Sequence, residues 1–241
     1  MGPHPTSQPR RFVLLGAPGV GKGTQAELLG RRLGACQLST GDVFRASKSG
    51  DGCETSPALR QALEFMRRGE LVPDQTVLAM VKERLACLRC HGGFLLDGFP
   101  RTVAQAEALE GILAGLGVGL DSALSYELAL EKIVARLSGR RVCSRCKSVF
   151  HVDALPARME GRCNCCGTRL EQREDDRSES VRVRIQVHEL SAAPLIDYYR
   201  RRGLLVSIAA EGGPEEVFAR TLKALEFGQA GSMQKNPYDS Q

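Results

Sequence analysis

RFVLLGAPGVGKGTQAELLGRRL (residues 11–33) opens on an apolar tetrad, turns through glycines and continues with apolar residues at helical spacing. The tetrad, residues 12–15, is too short for a core helix, and its bulky apolar side chains suit a buried strand. The turn consists of Gly16, Ala17, Pro18, Gly19, Val20, Gly21, Lys22, Gly23 and Thr24. Its glycines let the backbone curl so that N–H groups face an anion. The helix that follows adds the positive end of its dipole, and Lys22 reaches terminal phosphates. Loops of this kind carry Ser or Thr directly after the lysine to hold Mg²⁺. Here Gly23 takes that place and the hydroxyl follows at Thr24. A ligand-free glycine turn is the plainer alternative; glycines, lysine and strand-to-helix context in one register argue against it.

Working outward, short apolar runs recur at residues 93–96, 123–128 and 204–209. Helical periodicity covers residues 76–88, 103–116, 130–137, 181–199 and 216–227. Strands alternating with helices predict an α/β fold, a parallel sheet flanked by helices on both faces. Two regions interrupt the alternation. Residues 39–72 read as wholly helical, and residues 139–176 carry cysteines with little periodicity. Both are expected as insertions on the core. The polar ends, residues 1–10 and 228–241, are expected to be disordered tails.

The chain has 241 residues, 42% hydrophobic and 25% charged, enough for one good-sized core with small inserted lobes. Its formal charge of +5 comes mostly from arginine, whose planar fork suits phosphate oxygens, so an anionic partner is favoured. No run approaches the roughly 20 apolar residues of a membrane span, and the start lacks the apolar core of a signal peptide. The expected location is cytoplasmic, where nine cysteines are not expected to form structural disulfides. Met1, Gly2 and Thr6 fit a loose acylation pattern that carries little weight. CLRCH (residues 87–91) fits a haem-attachment signature, but that chemistry belongs outside the cytoplasm, so Cys87 and Cys90 are read as helix residues.

Cys143, Cys146, Cys163 and Cys166 form two C-x-x-C pairs, the spacing of a tetrahedral structural Zn²⁺ site. Cys165 is an alternative fourth ligand with less suitable spacing, and His151 is read as structural.

Six motifs stand in order: GAPGVGKGTQ, LSTGDVFR, GELVPD, FLLDGFPRT with Gln105, SGRRVC, and REDD with VRVR. In order and approximate spacing they resemble the adenylate kinases over residues 11–225. The resemblance implies a P-loop core (residues 11–38, 73–138 and 177–227), an AMP-binding insertion (39–72) and a zinc-bearing lid (139–176). It implies ATP + AMP = 2 ADP with Mg²⁺, in a monomer that binds ATP, AMP and ADP and neither nucleic acid nor membrane. Lys22, Arg140, Arg173 and Arg184 would surround the transferring group. Arg45 and Arg101 would grip the acceptor phosphate, and Asp97 would hold waters of Mg²⁺. Residues 16–24 with Arg136 and Arg140 would bind ATP, Arg136 stacking on its base. Thr40, Arg45, Val72, Gly98, Arg101, Gln105, Arg173 and Arg184 would bind AMP, with Thr40 and Gln105 reading its adenine.

Two stretches depart from the family pattern: SKSGDGCETS (residues 47–56) is looser and more polar, and EGGPEEV (residues 211–217) is shorter. The competing readings are a kinase with another acceptor (UMP or CMP) or donor (GTP), a nucleotide binder without turnover, and a zinc-ribbon nucleic-acid binder. The second would be expected to lose an arginine or the aspartate of the GFPR motif. The third lacks exposed aromatics, Phe150 being the only aromatic residue between the cysteine pairs.

Overall fold

A computed structural model describes residues 10–39, 57–67, 72–83, 92–146, 148–152, 157–159, 161–173, 176 and 178–230. The first apolar run is strand β1 (Arg10–Leu15), and it is the central strand of a five-stranded sheet. Its side chains alternate between two buried clusters. Phe12 and Leu14 join one with Leu29, Leu95 and Leu124, while Val13 and Leu15 join the other with Phe94, Leu96 and Tyr199. A strand buried on both faces has no need of polar alternation, which is why the sequence shows a continuous apolar run.

After β1 come helix α1 (Lys22–Leu33), β2 (Cys36–Ser39), α2 (Pro57–Arg67) and α3 (Asp74–Glu83). Next are β3 (Gly93–Asp97), α4 (Val103–Gly115), β4 (Ser122–Glu127) and α5 (Leu130–Gly139). The strands β5 (Arg140–Cys143), β6 (Val149–His151) and β7 (Leu170–Glu171) precede α6 (Ser178–Arg201), β8 (Leu205–Ala209) and α7 (Pro214–Ala230). The main sheet has the order β2-β3-β1-β4-β8 and every pairing is parallel, so the carboxyl ends of its strands open on one edge. Ligands of open α/β sheets bind at that edge.

One expectation needs correcting. Residues 39–72 are not wholly helical: Ser39 closes β2 and pairs with Asp97 of β3, while α2 is helical as expected. The four residues CQLS gave no strand signal, because an edge strand this short takes its conformation from its partner. In the cysteine region, β5, β6 and β7 form a separate antiparallel sheet around a small cluster of Cys143, Phe150, Cys163 and Leu170.

Candidate nucleotide site and cysteine cluster

The glycine loop leaves the carboxyl end of β1 and runs into α1, whose first residue is Lys22. Gly21 caps the helix at φ +107°, a conformation open to glycine at little cost. At Gly19 the limit is space as well: a Cβ there would lie 2.5 Å from Cγ of Leu137 on α5. The Lys22 Nζ donates to the carbonyls of Gly16 at 2.7 Å and Ala17 at 3.0 Å, which closes the loop on itself. Pro18 and Val20 complete this turn, with buried Val20 anchored in the core, and Gly23 and Thr24 lie in the first turn of α1. Asp97 ends β3, paired with Leu14, and a Cβ on Gly23 would come within 3.6 Å of its Oδ2. That is an ordinary contact distance, so a side chain at 23 would stand directly beside this carboxylate.

Arg136 ties α5 to this loop. Its guanidinium donates to the carbonyls of Val20 at 3.1 Å, Ala210 at 2.9 Å and Gly212 at 3.0 Å. These bonds lie in the guanidinium plane and use none of its stacking faces. Burial lowers its pKa.

Two arginines meet at Asp176, whose side chain is fully buried. Arg140 opens β5 and donates its Nε to Asp176 at 2.7 Å, with its Nη2 on the other carboxylate oxygen. The Asp176 backbone N–H donates to the carbonyl of Arg173 at 3.0 Å. A buried bidentate pair fixes the guanidinium plane of Arg140. Asp176 was visible in the sequence only as part of REDD, with no sign of this task.

On the other side, Gly98 turns the chain at φ +80°, and the exposed Arg101 donates its Nε to the Gly98 carbonyl at 2.8 Å. Gln105 is buried. Its Oε1 accepts from the Arg101 backbone N–H at 2.8 Å, and its Nε2 donates to Asp74 at 2.6 Å. Asp74, visible in the sequence only as the last residue of GELVPD, also accepts from the hydroxyl of Thr102, which caps α4. The Gln105 amide has a second hydrogen and a second lone pair beside these bonds. Val72 packs on the cluster between α2 and α3. Thr40 and Arg45 lie outside the described residues, as does the side chain of Arg184, whose backbone belongs to α6.

His188 on α6 was missed because it belongs to no motif. It is half-buried, and the charges of both Lys22 and Arg101 act on it. Burial first, then those two charges, pushes its pKa from 6.5 down to about 4. The unfolded chain therefore binds a proton between pH 6.5 and about 4 that the folded chain refuses. This contribution to stability is complete above pH 6.5 and declines as pH falls through that window. Melting temperatures at pH 7 and pH 5 should thus differ more in the wild type than in His188→Gln. Equal drops would remove the imidazole as the cause.

The sulfurs of Cys143, Cys146, Cys163 and Cys166 lie within 4.8 Å of one another. Cys143 and Cys166 are 3.4 Å apart, Cys146 and Cys163 3.4 Å, and Cys146 and Cys166 3.6 Å. Zinc–sulfur bonds of about 2.3 Å give a tetrahedron with edges of about 3.8 Å, so the donor set fits the ion. Exposed Cys165 stands outside the group, and its sulfur meets the Ser148 hydroxyl at 3.5 Å.

Among the described residues, no helix is long and apolar enough to cross a membrane. The family model for adenylate kinase matches residues 14–204. An adenylate kinase of Acidothermus cellulolyticus is 48% identical over 89% of this chain and 97% of its own length. One of Thermodesulfovibrio yellowstonii is 45% identical over 90% and 99%, and one of Streptomyces griseus 46% identical over 92% and 100%. The loop, the paired strand ends and the arginines described above thus stand in a chain that matches these relatives over nearly their whole length, and it belongs to the adenylate kinase family.

Proposed function

We propose that the chain transfers the terminal phosphoryl group of ATP directly to AMP, ATP + AMP = 2 ADP, with each named residue in the role its position suits. The observation that carries the assignment is the glycine loop running from the carboxyl end of β1 into α1, closed by Lys22 and standing beside Asp97 at the paired end of β3. Donor phosphates rest on the loop N–H groups of residues 16–24 and on Lys22. Arg101, with Arg45, holds the acceptor phosphate, and Arg140, Arg173 and Arg184 face the charge that spreads over the transferring group. An ionised oxygen of AMP forms the new bond to the terminal phosphorus as the bond to the bridging oxygen of ATP breaks. That attacking oxygen carries no proton, so no general base is required.

Mg²⁺ bound with ATP supplies charge neutralisation, and Asp97 with Thr24 would hold it or its waters. Arg136 offers its face to the donor base, while Thr40, Val72, Gly98 and Gln105 line the acceptor's base and sugar. The four cysteines would hold a structural Zn²⁺ with no part in the chemistry. Residues 139–176 act as the closing lid, residues 39–72 as the AMP-binding insertion and the rest as the core. The protein works as a cytoplasmic monomer.

The test is ADP formation from ATP with AMP, UMP, CMP and GMP offered in turn. Turnover with AMP at least tenfold above the others is expected, because a site built to hydrogen-bond one base discriminates strongly against others. Preference for a pyrimidine monophosphate would overturn the roles of Thr40 and Gln105. Absence of turnover with all four would overturn the reaction itself.

A further inference from the structure

Gly139, the last residue of α5, is buried, and its backbone is not in the left-handed region, so its conformation does not call for glycine. What calls for glycine is the ring of His151 from β6. A Cβ on Gly139 would lie 2.3 Å from Nε2 of that ring and 2.4 Å from Cε1. The imidazole is seated in the notch that the missing side chain leaves. Its Nε2 lies 3.3 Å from the Ala135 carbonyl of α5, which also accepts from the Ser138 hydroxyl at 3.1 Å and to which the ring donates when Nε2 carries the proton.

Other groups from the cysteine region meet the same helix end. Arg141 donates to the Ser138 carbonyl at 3.0 Å, and so does Gln172 at 3.2 Å. The Val152 backbone N–H donates to Gly139 at 3.0 Å. Carbonyls in the last turn of a helix lack partners within it, so these contacts cap α5 with groups of the small sheet. In that sheet His151 pairs directly with Arg140.

We infer that the His151 ring seated on Gly139 is a latch that sets the angle of the small sheet on α5, making His151 a positioning residue for Arg140. The inference rests on the role of Arg140 proposed above. The C-terminal part of α5 is tied to the phosphate loop through Arg136, and within one turn the same helix end meets the lid at this notch. Arg140 sits at the junction, held by Asp176 through its guanidinium and by its strand pairing with His151 through its backbone. A ring displaced from the notch tilts β5 and moves the guanidinium by a fraction of the distance that matters for transfer.

The test compares full-length Gly139→Ala, His151→Ala and the double variant. Either single change is expected to lower kcat about tenfold, with the KM for AMP within about twofold of wild type. The double variant is expected to be no slower than His151→Ala, because a methyl at 139 meets nothing once the ring is gone. His151→Gln, which keeps an N–H donor, should recover part of the loss. Wild-type kcat in Gly139→Ala would overturn the latch, as would losses that multiply in the double variant. If Gly139→Ala does not fold, the ratio between His151→Gln and His151→Ala decides, equal rates counting against the latch. Wild-type turnover with AMP, measured alongside, separates failure of the latch from failure of the proposed reaction.

Discussion

Arg101→Ala is expected to lower turnover with AMP by roughly two orders of magnitude or more while the protein stays folded, since an acceptor phosphate misplaced by about 1 Å costs about 10² in rate. The fold should tolerate the change for reasons that can be checked residue by residue. Arg101 is exposed, and its Nε donates to the carbonyl of Gly98. Its bond to Gln105 uses the backbone N–H, which alanine keeps. A surface substitution of that kind costs within about 0.5 kcal/mol. Arg101→Lys should recover little, because an ammonium cannot reproduce the two-pronged grip of a guanidinium on phosphate. The melting temperature and kcat decide together: an unaltered melt with kcat within tenfold of wild type would remove Arg101 from the phosphate site.

The same residues show where sequence reading stops. The loop was legible because its chemistry is local: the glycines, Lys22 and the strand before them are consecutive, and backbone geometry ties them together. The core strands were legible because burial on both faces demands unbroken apolar runs, as in Phe12 to Leu15. Asp74, Asp176 and His188 were not, since what gives each its task is a neighbour distant in sequence. Asp74 acquires its role from Gln105, 31 residues away, and Asp176 from Arg140, 36 residues away. Gly139 is the plainest case. It stands in a motif, SGRRVC, yet the reason for glycine is a ring contributed by another strand. The choice between Cys165 and Cys166 needed coordinates too, because adjacent cysteines differ in direction far more than in position along the chain.

Removing the metal should melt the lid well before the core. Among the described residues, the cluster that would hold residues 139–176 together has four buried members, Cys143, Phe150, Cys163 and Leu170, and two of them are the proposed ligands. Phe150 and Leu170 contribute about 1.5–3 kcal/mol each by burial. Ordering the backbone costs about 1–2 kcal/mol for every residue, so the apolar cluster falls far short and the four thiolates must supply the difference. Binding energies of about 10–16 kcal/mol for structural zinc are of the required size. Chelator-treated protein, and separately Cys143→Ser, should show an early melting transition and protease cleavage confined to the lid, with the five-stranded core intact. Cys165→Ser should behave as wild type, because its sulfur stands outside the cluster. The metal would touch none of the reacting atoms, so turnover at low temperature should fall less than lid stability does and collapse where the lid melts. Stripped protein that melts and resists protease like the untreated protein would show that the lid stands without its staple.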